Sequence, residues 1–212
     1  MARYTGPVCR LCRAEGEKLF LKGSRCLTPK CAFEKRPFVP GAHGNQSTFK
    51  RKRDSNFLLQ LRAKQRVRRT YGLLERQFQR YYEAAAAMRG VTGVNMLQLL
   101  ETRLDNVVYR LGYAQSRAQA RILVSHGHFT VNDRRTNVPS VQLGAGDVVR
   151  VRQSSRANGY FKEVSDLAEV RSTPGWLSRN ISDLDGKVLQ LPLRNEIDTP
   201  VNEQLVVEFY SR

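Results

Sequence analysis

Apolar positions recur at helical spacing from Ser55 to Arg89. Leu58 and Leu61 share a face with Ser55 and Gln65, Leu61 and Val67 can pack inward, and Gly72 reads as a stop. The stretch ERQFQRYYEAAAAMRG predicts a second helix, with Phe78, Tyr82 and Ala85 along one face and Gly90 at its end. In NMLQLLETRLDNVVYRLG the residues Leu97, Leu100, Leu104, Val107, Val108 and Leu111 predict a buried helical face between Gly93 and Leu111. Gly112 fits the left-handed position after its last turn. Ser116 with Gln119 resembles a capping box opening a short helix that buries Ala120 and Val124 and breaks at Gly127.

The period then changes. HFTV predicts a short strand, NDRR a tight turn in which Asn132 and Asp133 tolerate left-handed geometry, and GAGDVVRV a turn and a second strand. Two helices followed by a small sheet predict a compact α+β module. Residues 153–175 read as a polar linker with a short helix, and Trp176 as a core anchor. VNEQLVVEFYSR fits a strand by alternation and a helix by the shared face of Leu205, Val206 and Phe209. The helix, capped by Asn202, is the preferred reading.

Charge separates the two halves. Residues 1–100 hold 21 Lys and Arg against 6 Asp and Glu, whereas residues 101–212 hold 15 against 13. A net charge of +17 concentrated in one half points to a polyanionic partner, most often nucleic acid. No apolar run approaches the ~18 residues of a spanning helix. Neither a basic amphipathic helix nor a lipidation motif stands out. The start, MARYTGPVCR, lacks the apolar stretch of a secretory signal, which predicts a cytosolic chain with reduced thiols.

All four cysteines fall in VCRLCRAEGEKLFLKGSRCLTPKC. Cys9 and Cys12 form one close pair and Cys26 and Cys31 another, the arrangement by which two short loops turn four thiolates onto one tetrahedral ion. Arg10, Arg13, Arg25 and Lys30 beside them are expected to lower the thiol pKa values. Zinc is the default ion, and an iron–sulfur cluster uses the same four ligands. The bland alternative is four buried thiols. With no open coordination position in sight, the expected site is structural.

The candidate phosphate contacts are arginines and lysines. Arg62, Arg66 and Arg69 form a stripe at spacings of three and four. Arg76 and Arg80 follow on the next helix, and Lys50, Arg51, Lys52 and Arg53 make a basic run before both. Residues 50–80 hold 11 Lys and Arg against 2 Asp and Glu, less mixed than an ordinary solvated surface. In the module Arg103, Arg117, Arg121 and His126 could line one edge. Scattered surface arginines are the competing reading for each.

ETRLDNVVYRLGYAQSRAQARILVSHGHFTVN resembles the RNA-binding module named after small-subunit ribosomal protein four. MARYTGPVCRLCRAEGEKLFLKG, PGAHG, LRAKQRVRRTYGLLERQF and VNEQLVVEFYSR are similar to the bacterial form of that family, so the resemblance covers nearly the whole chain. It implies a mostly helical domain completed by the returning C-terminus, with the α+β module inserted in it and a four-cysteine knuckle before it. In those terms, residues 1–44 are the N-terminal arm, 45–100 the basic helical domain, 101–165 the RNA-binding module and 166–212 the returning segment. It implies binding to the five-prime domain of small-subunit rRNA early in assembly, contact with small-subunit ribosomal protein five, a link to decoding accuracy, and a share of the messenger RNA entrance. It strengthens the metal reading for Cys9, Cys12, Cys26 and Cys31, since some bacterial members carry this site. Arg3, Lys64, Arg68 and Ser116 join the RNA-facing set on the same basis. One departure stands out. NQSTFKRKRDSNFLLQ is longer than its usual counterpart, so only the basic character of Lys50 to Arg53 carries over.

An RNA-modifying enzyme is the competing class. Pseudouridine synthases often carry a similar module and an RLD signature, and Arg103-Leu104-Asp105 is superficially alike. Too little chain follows for such a catalytic domain, so Asp105 is expected to pair with an arginine or a backbone group. A free-standing RNA-binding repressor is a further alternative. No phosphate-binding loop or nucleophile elbow is present, and neither a small-molecule substrate nor a membrane partner is expected.

Overall fold

A computed structural model describes residues 3–47, 55–170 and 172–212. Its helices are α1 (Cys9–Glu15), α2 (Ala32–Lys35), α3 (Gly44–Ser47), α4 (Asn56–Thr70), α5 (Glu75–Ala87), α6 (Thr92–Glu101), α7 (Leu104–Arg110), α8 (Arg117–Ser125), α9 (Gln153–Arg156), α10 (Gly159–Val170) and α11 (Glu203–Tyr210). Its strands are β1 (Phe129–Val131), β2 (Arg134–Thr136), β3 (Val148–Val151), β4 (Leu177–Asn180) and β5 (Asp185–Val188). The chain divides into two compact units, Met1–Met96 with Thr199–Arg212, and Leu97–Asp198.

In the first unit α4 and α5 carry the core residues Val67, Phe78 and Ala85, none of which is exposed. Ser55 caps α4, its hydroxyl accepting from the Leu58 amide at 3.3 Å. The chain returns to this unit through α11. There Asn202 accepts from the Gln204 amide at 3.0 Å, so the helical reading of VNEQLVVEFYSR holds. Gln60 of α4 donates to Glu208 at 2.9 Å, and Tyr210 donates its hydroxyl to Glu75 at 2.7 Å. Tyr210 also stacks on Tyr82, with ring centroids 4.7 Å apart.

The second unit is a five-stranded antiparallel sheet in the order β2-β1-β3-β5-β4, backed by helices. Its core joins Leu104, Val107 and Leu111 of α7, Ala120 and Val124 of α8, Phe129 of β1, Phe161 of α10 and Trp176. Ser116 caps α8 as expected, accepting from the Gln119 amide at 3.3 Å. The Gln119 side chain returns the bond one residue earlier, to the Gln115 amide at 2.9 Å. Asn132 and Asp133 take φ of 48° and 63°, the left-handed turn that joins β1 to β2.

Three expectations change here. The single helix between Gly93 and Leu111 is two, α6 and α7, because Arg103 leaves the helical path and bridges Gln142. The Leu104 and Asp105 amides then donate to the carbonyls of Val141 and Pro139, at 2.9 and 3.1 Å. The module does not end at 165. The β4–β5 hairpin adds to β3, pairing Val149 with Gly186, so the chain rejoins the helical unit only at Thr199. The sheet thus has five strands where two were expected.

Candidate nucleic-acid interface

The cationic stripe of α4 is partly committed to the arm. Glu15, at the end of α1, has a side chain with no exposure. It pairs with Arg69 and lies 3.7 Å from Arg62. Glu17 pairs with Arg66 at 3.0 Å. These contacts dock the arm on α4, a use of Arg62, Arg66 and Arg69 that spacing alone could not separate from phosphate binding. Burial pushes the Glu15 carboxyl above its ordinary pKa, outweighing the attraction of Arg69, Arg62 and Arg66. Lys64 turns inward to Glu75 at 2.7 Å and lies over the Phe209 ring, 4.3 Å from its centroid. Arg68 bonds Gln65 and the Leu73 carbonyl. Lys64, buried, therefore braces the helical unit, and the expectation that it faces RNA is corrected; Arg68 braces the unit too while staying partly exposed. Arg76 and Arg80 remain exposed on α5, one turn apart, without an ion pair among the described residues. Arg3 is exposed as well. Lys50, Arg51, Lys52 and Arg53 lie outside the described residues.

In the second unit the signature segment builds a buried charge network. Arg103 grips Asp105 through two bonds of 3.0 and 2.8 Å, and Arg121 reaches the same carboxylate at 3.0 Å. Glu101, fully buried, holds Arg110 at 3.0 and 2.9 Å and accepts from the Asn106 amide at 2.7 Å. Arg117 donates to Asn106 at 2.7 Å and stacks over the Tyr109 ring at 4.5 Å. Arg103 and Arg121 are 2% and 6% exposed, too deep to touch a phosphate without opening the fold. Their expected role as clamps is corrected: they fix α8 against α7. Arg117 keeps an edge toward solvent, and Ser116 serves as a cap. Asp105 pairs with arginines, as expected, and between two guanidiniums it has no access to a substrate.

The exposed cations of this unit lie elsewhere. His126 is exposed at the end of α8, and Arg134 and Arg135 are exposed on β2. Arg135 lies across Gly127, where its Nε would stand 2.9 Å from an added Cβ. Arg152 donates to the Gly127 carbonyl at 3.3 Å, bringing a further cation to this end of the sheet. Sequence reasoning used Arg134 and Arg135 only as turn residues. Their lack of a nearby opposite charge was the overlooked signal, since Asp133 is drawn to Arg150 at 2.7 Å.

The cysteines are free thiols, with Cys12, Cys26 and Cys31 buried and Cys9 half-buried. The Lys22 amide points to the Cys26 sulfur at 3.4 Å. Burial pushes the Cys12 and Cys26 thiols up, and the neighbouring sulfurs add to the shift. The expected lowering is not found at these two positions: loss of water dominates both, against the Leu19 backbone at Cys12 and against the Lys22 amide and Lys18 at Cys26. Among the described residues no group of three or more Cys, His, Asp or Glu is arranged to hold a metal ion. Among those residues, too, no helix is long and apolar enough to cross a membrane.

Comparison with known proteins identifies the family of both modules. The family described as Ribosomal protein S4/S9 N-terminal domain matches residues 3–101, and the S4 domain matches residues 102–149. The chain is 57% identical over 212 residues to small ribosomal subunit protein uS4 of Dictyoglomus turgidum. It is 55% identical to that of Halothermothrix orenii and 53% to that of Caldicellulosiruptor saccharolyticus. Each alignment covers 100% of both chains. With a match of this extent to both of its modules, the chain belongs to the family of small ribosomal subunit protein uS4.

Proposed function

We propose that this chain is a structural, non-enzymatic protein of the small ribosomal subunit that binds small-subunit rRNA and works in the cytoplasmic ribosome. The observation that carries the reading is the full-length similarity to proteins of that name, on a chain that displays unpaired cations from rigid elements. RNA junctions crowd phosphates whose repulsion opposes compaction. Arg76 and Arg80 on α5 and Arg134 and Arg135 on β2 can neutralise separate strands, with counterion release as the driving force. Recognition is of RNA shape more than of sequence, because A-form major grooves admit few side chains. The test is binding to intact five-prime-domain small-subunit rRNA, against an unrelated folded RNA of equal length, at two salt concentrations. A preference that survives the higher salt supports the reading. Equal affinities that collapse together overturn it.

The finer roles follow from the family resemblance. We infer nucleation of the subunit body, contact with small-subunit ribosomal protein five, an influence on decoding accuracy, and a part in the messenger RNA entrance for the basic run Lys50 to Arg53. Crosslinking in subunits reconstituted with protein five, with its omission as the control, tests the second of these.

Zinc at Cys9, Cys12, Cys26 and Cys31 belongs to the same proposal, with an iron–sulfur cluster as its alternative. Four soft donors in two close pairs suit either. The amide directed at the Cys26 sulfur is the kind of bond that steadies a thiolate ligand. Binding would release the thiol protons and draw the four sulfurs together, and the metal would add order to an arm with little core of its own. Elemental analysis of purified protein, with protease mapping before and after chelation, tests this. Unchanged cleavage in the arm of a metal-loaded sample counts against it.

A further inference from the structure

The second unit ends on a stretch whose chemistry differs from the rest of the chain. Residues 181–198 hold four carboxylates against two Lys and Arg, in a protein whose net charge is +17. Just after β5, Leu189, Leu191 and Leu193 stand 52%, 47% and 54% exposed. Single exposed leucines are ordinary on a protein surface, but three within five residues gather into a patch.

This stretch runs beside the turn that leads into β4. The Leu189 amide donates to the Trp176 carbonyl at 2.9 Å, and Glu196 Oε1 lies 3.2 Å from where a Cβ on Gly175 would stand. The two segments share a cavity of about 360 Å³, whose lining includes Tyr109, Arg110, Ser172, Thr173, Glu196 and Asp198. Arg110 does not make it an anion site. Its guanidinium donates to Glu101 at 3.0 and 2.9 Å and to Asp198 at 2.6 Å. Glu101 is fully buried and already matches that cation, so Glu196 and Asp198 are the surplus charge of the cavity. Glu196 is held in place by the Leu193 amide, which donates to its Oε2 at 2.8 Å and leaves Oε1 toward Gly175. Arg194, close by in sequence, turns back to donate to the Ile197 carbonyl at 3.3 Å.

We propose that this surface docks a basic, apolar segment of a neighbouring protein, with an Arg or Lys head between Glu196 and Asp198 and aliphatic side chains on Leu189, Leu191 and Leu193. The inference goes beyond the RNA-binding reading and rests on it only in taking the small subunit as its setting. Charge complementarity selects the occupant. Surplus carboxylates repel the phosphates of RNA, and RNA has little to offer three leucines. A second copy of this surface would bring the same carboxylates and meet like with like. A guanidinium can bond the two carboxylates and the hydroxyls of Ser172 and Thr173 together, while its apolar neighbours cover the leucines.

The full chain is titrated with an acetylated peptide of alternating Leu and Arg, followed through Trp176, the single tryptophan, whose carbonyl holds Leu189. A peptide with Glu in place of each Arg is the control. The variant Glu196→Gln with Asp198→Asn should bind the Leu-Arg peptide about tenfold more weakly, with the rRNA salt slope unchanged. Equal affinity for the two peptides, or for wild type and variant, overturns the proposal. In small subunits, a photo-crosslinker at position 191 should reach a protein segment that carries Arg or Lys beside aliphatic residues. A crosslink to rRNA or to a second copy, or none at all, overturns it. Thermal unfolding checks the variant, because Asp198 also pairs with Arg110. If it does not fold, Leu191→Ser with Leu193→Ser takes its place, with the same loss expected. A chain that fails to enter small subunits defeats the broader reading, and the peptide titration still decides this one.

Discussion

The guanidinium of Arg103 and the carboxylate of Asp105 hold each other through two parallel bonds, and Arg121 meets the same carboxylate from α8. Removing the anion takes from two buried cations the carboxylate they share. Asp105→Asn should therefore cost about 3–5 kcal/mol of stability in the second unit, most of it the penalty of uncompensated charge. A fall in thermal midpoint with little change in the rRNA salt slope is the expected pattern. Arg121→Ala should behave likewise. A shallower slope at full stability would return Arg121 to the phosphate-binding set.

Arg76 and Arg80 carry the opposite expectation. Both are exposed and unpaired among the described residues, so their charge is available to RNA. Replacing both by Gln should reduce the salt slope by roughly 1.5 and leave the thermal midpoint within experimental error. Binding unaffected at every salt concentration would place the α5 face away from the RNA.

Glu15 makes the docking of the arm depend on pH. Its carboxyl is pushed up by burial, while Arg69 and Arg62 keep contact with water. The folded state therefore takes up a proton more readily than the unfolded chain. That contribution is fully present below the ordinary carboxylate value and is lost as pH rises through the raised one. Glu15→Gln should match wild type in acid and exceed it in thermal stability at neutral pH, with the gap opening between the two values. A variant less stable than wild type at neutral pH would show that the ion pairs outweigh the burial cost.

Gly186 in β5 faces Leu111 at the end of α7. An added Cβ would stand 2.5 Å from one Leu111 methyl group and 2.6 Å from the other. Leu111 has no exposure and little room to move. Gly186→Ala should cost about 1–3 kcal/mol, and Gly186→Ala with Leu111→Ala should recover part of the clash while opening a cavity. Equal thermal midpoints for Gly186→Ala and wild type would mean the sheet and α7 can part without penalty.

The helical periods were legible because each amphipathic face buries against a neighbour, as Phe78 and Ala85 do. The caps at Ser55, Ser116 and Asn202 were local chemistry, readable residue by residue. The β4–β5 hairpin was not legible. Its strands have four residues each, and Gly186, which weakens a strand by propensity, is required by Leu111 far away in sequence. The fate of the arginines was also hidden. Arg80 and Arg121 look alike in sequence, yet one meets solvent and the other meets Asp105. Only the position of the carboxylates separates them, and that is a property of tertiary contacts.

The return of α11 to α4 has a consequence for the order in which the chain can fold as it is made. The second unit is continuous in sequence and can close once its own residues have been synthesised. Gln60 waits for Glu208, 148 residues later, and Tyr71 waits for Thr199. Until then, α4 and α5 emerge with their α11-facing apolar surface uncovered. The most basic part of a nascent chain is thus the part that stays unfinished longest, and any polyanion it meets in that interval competes with its own last helix.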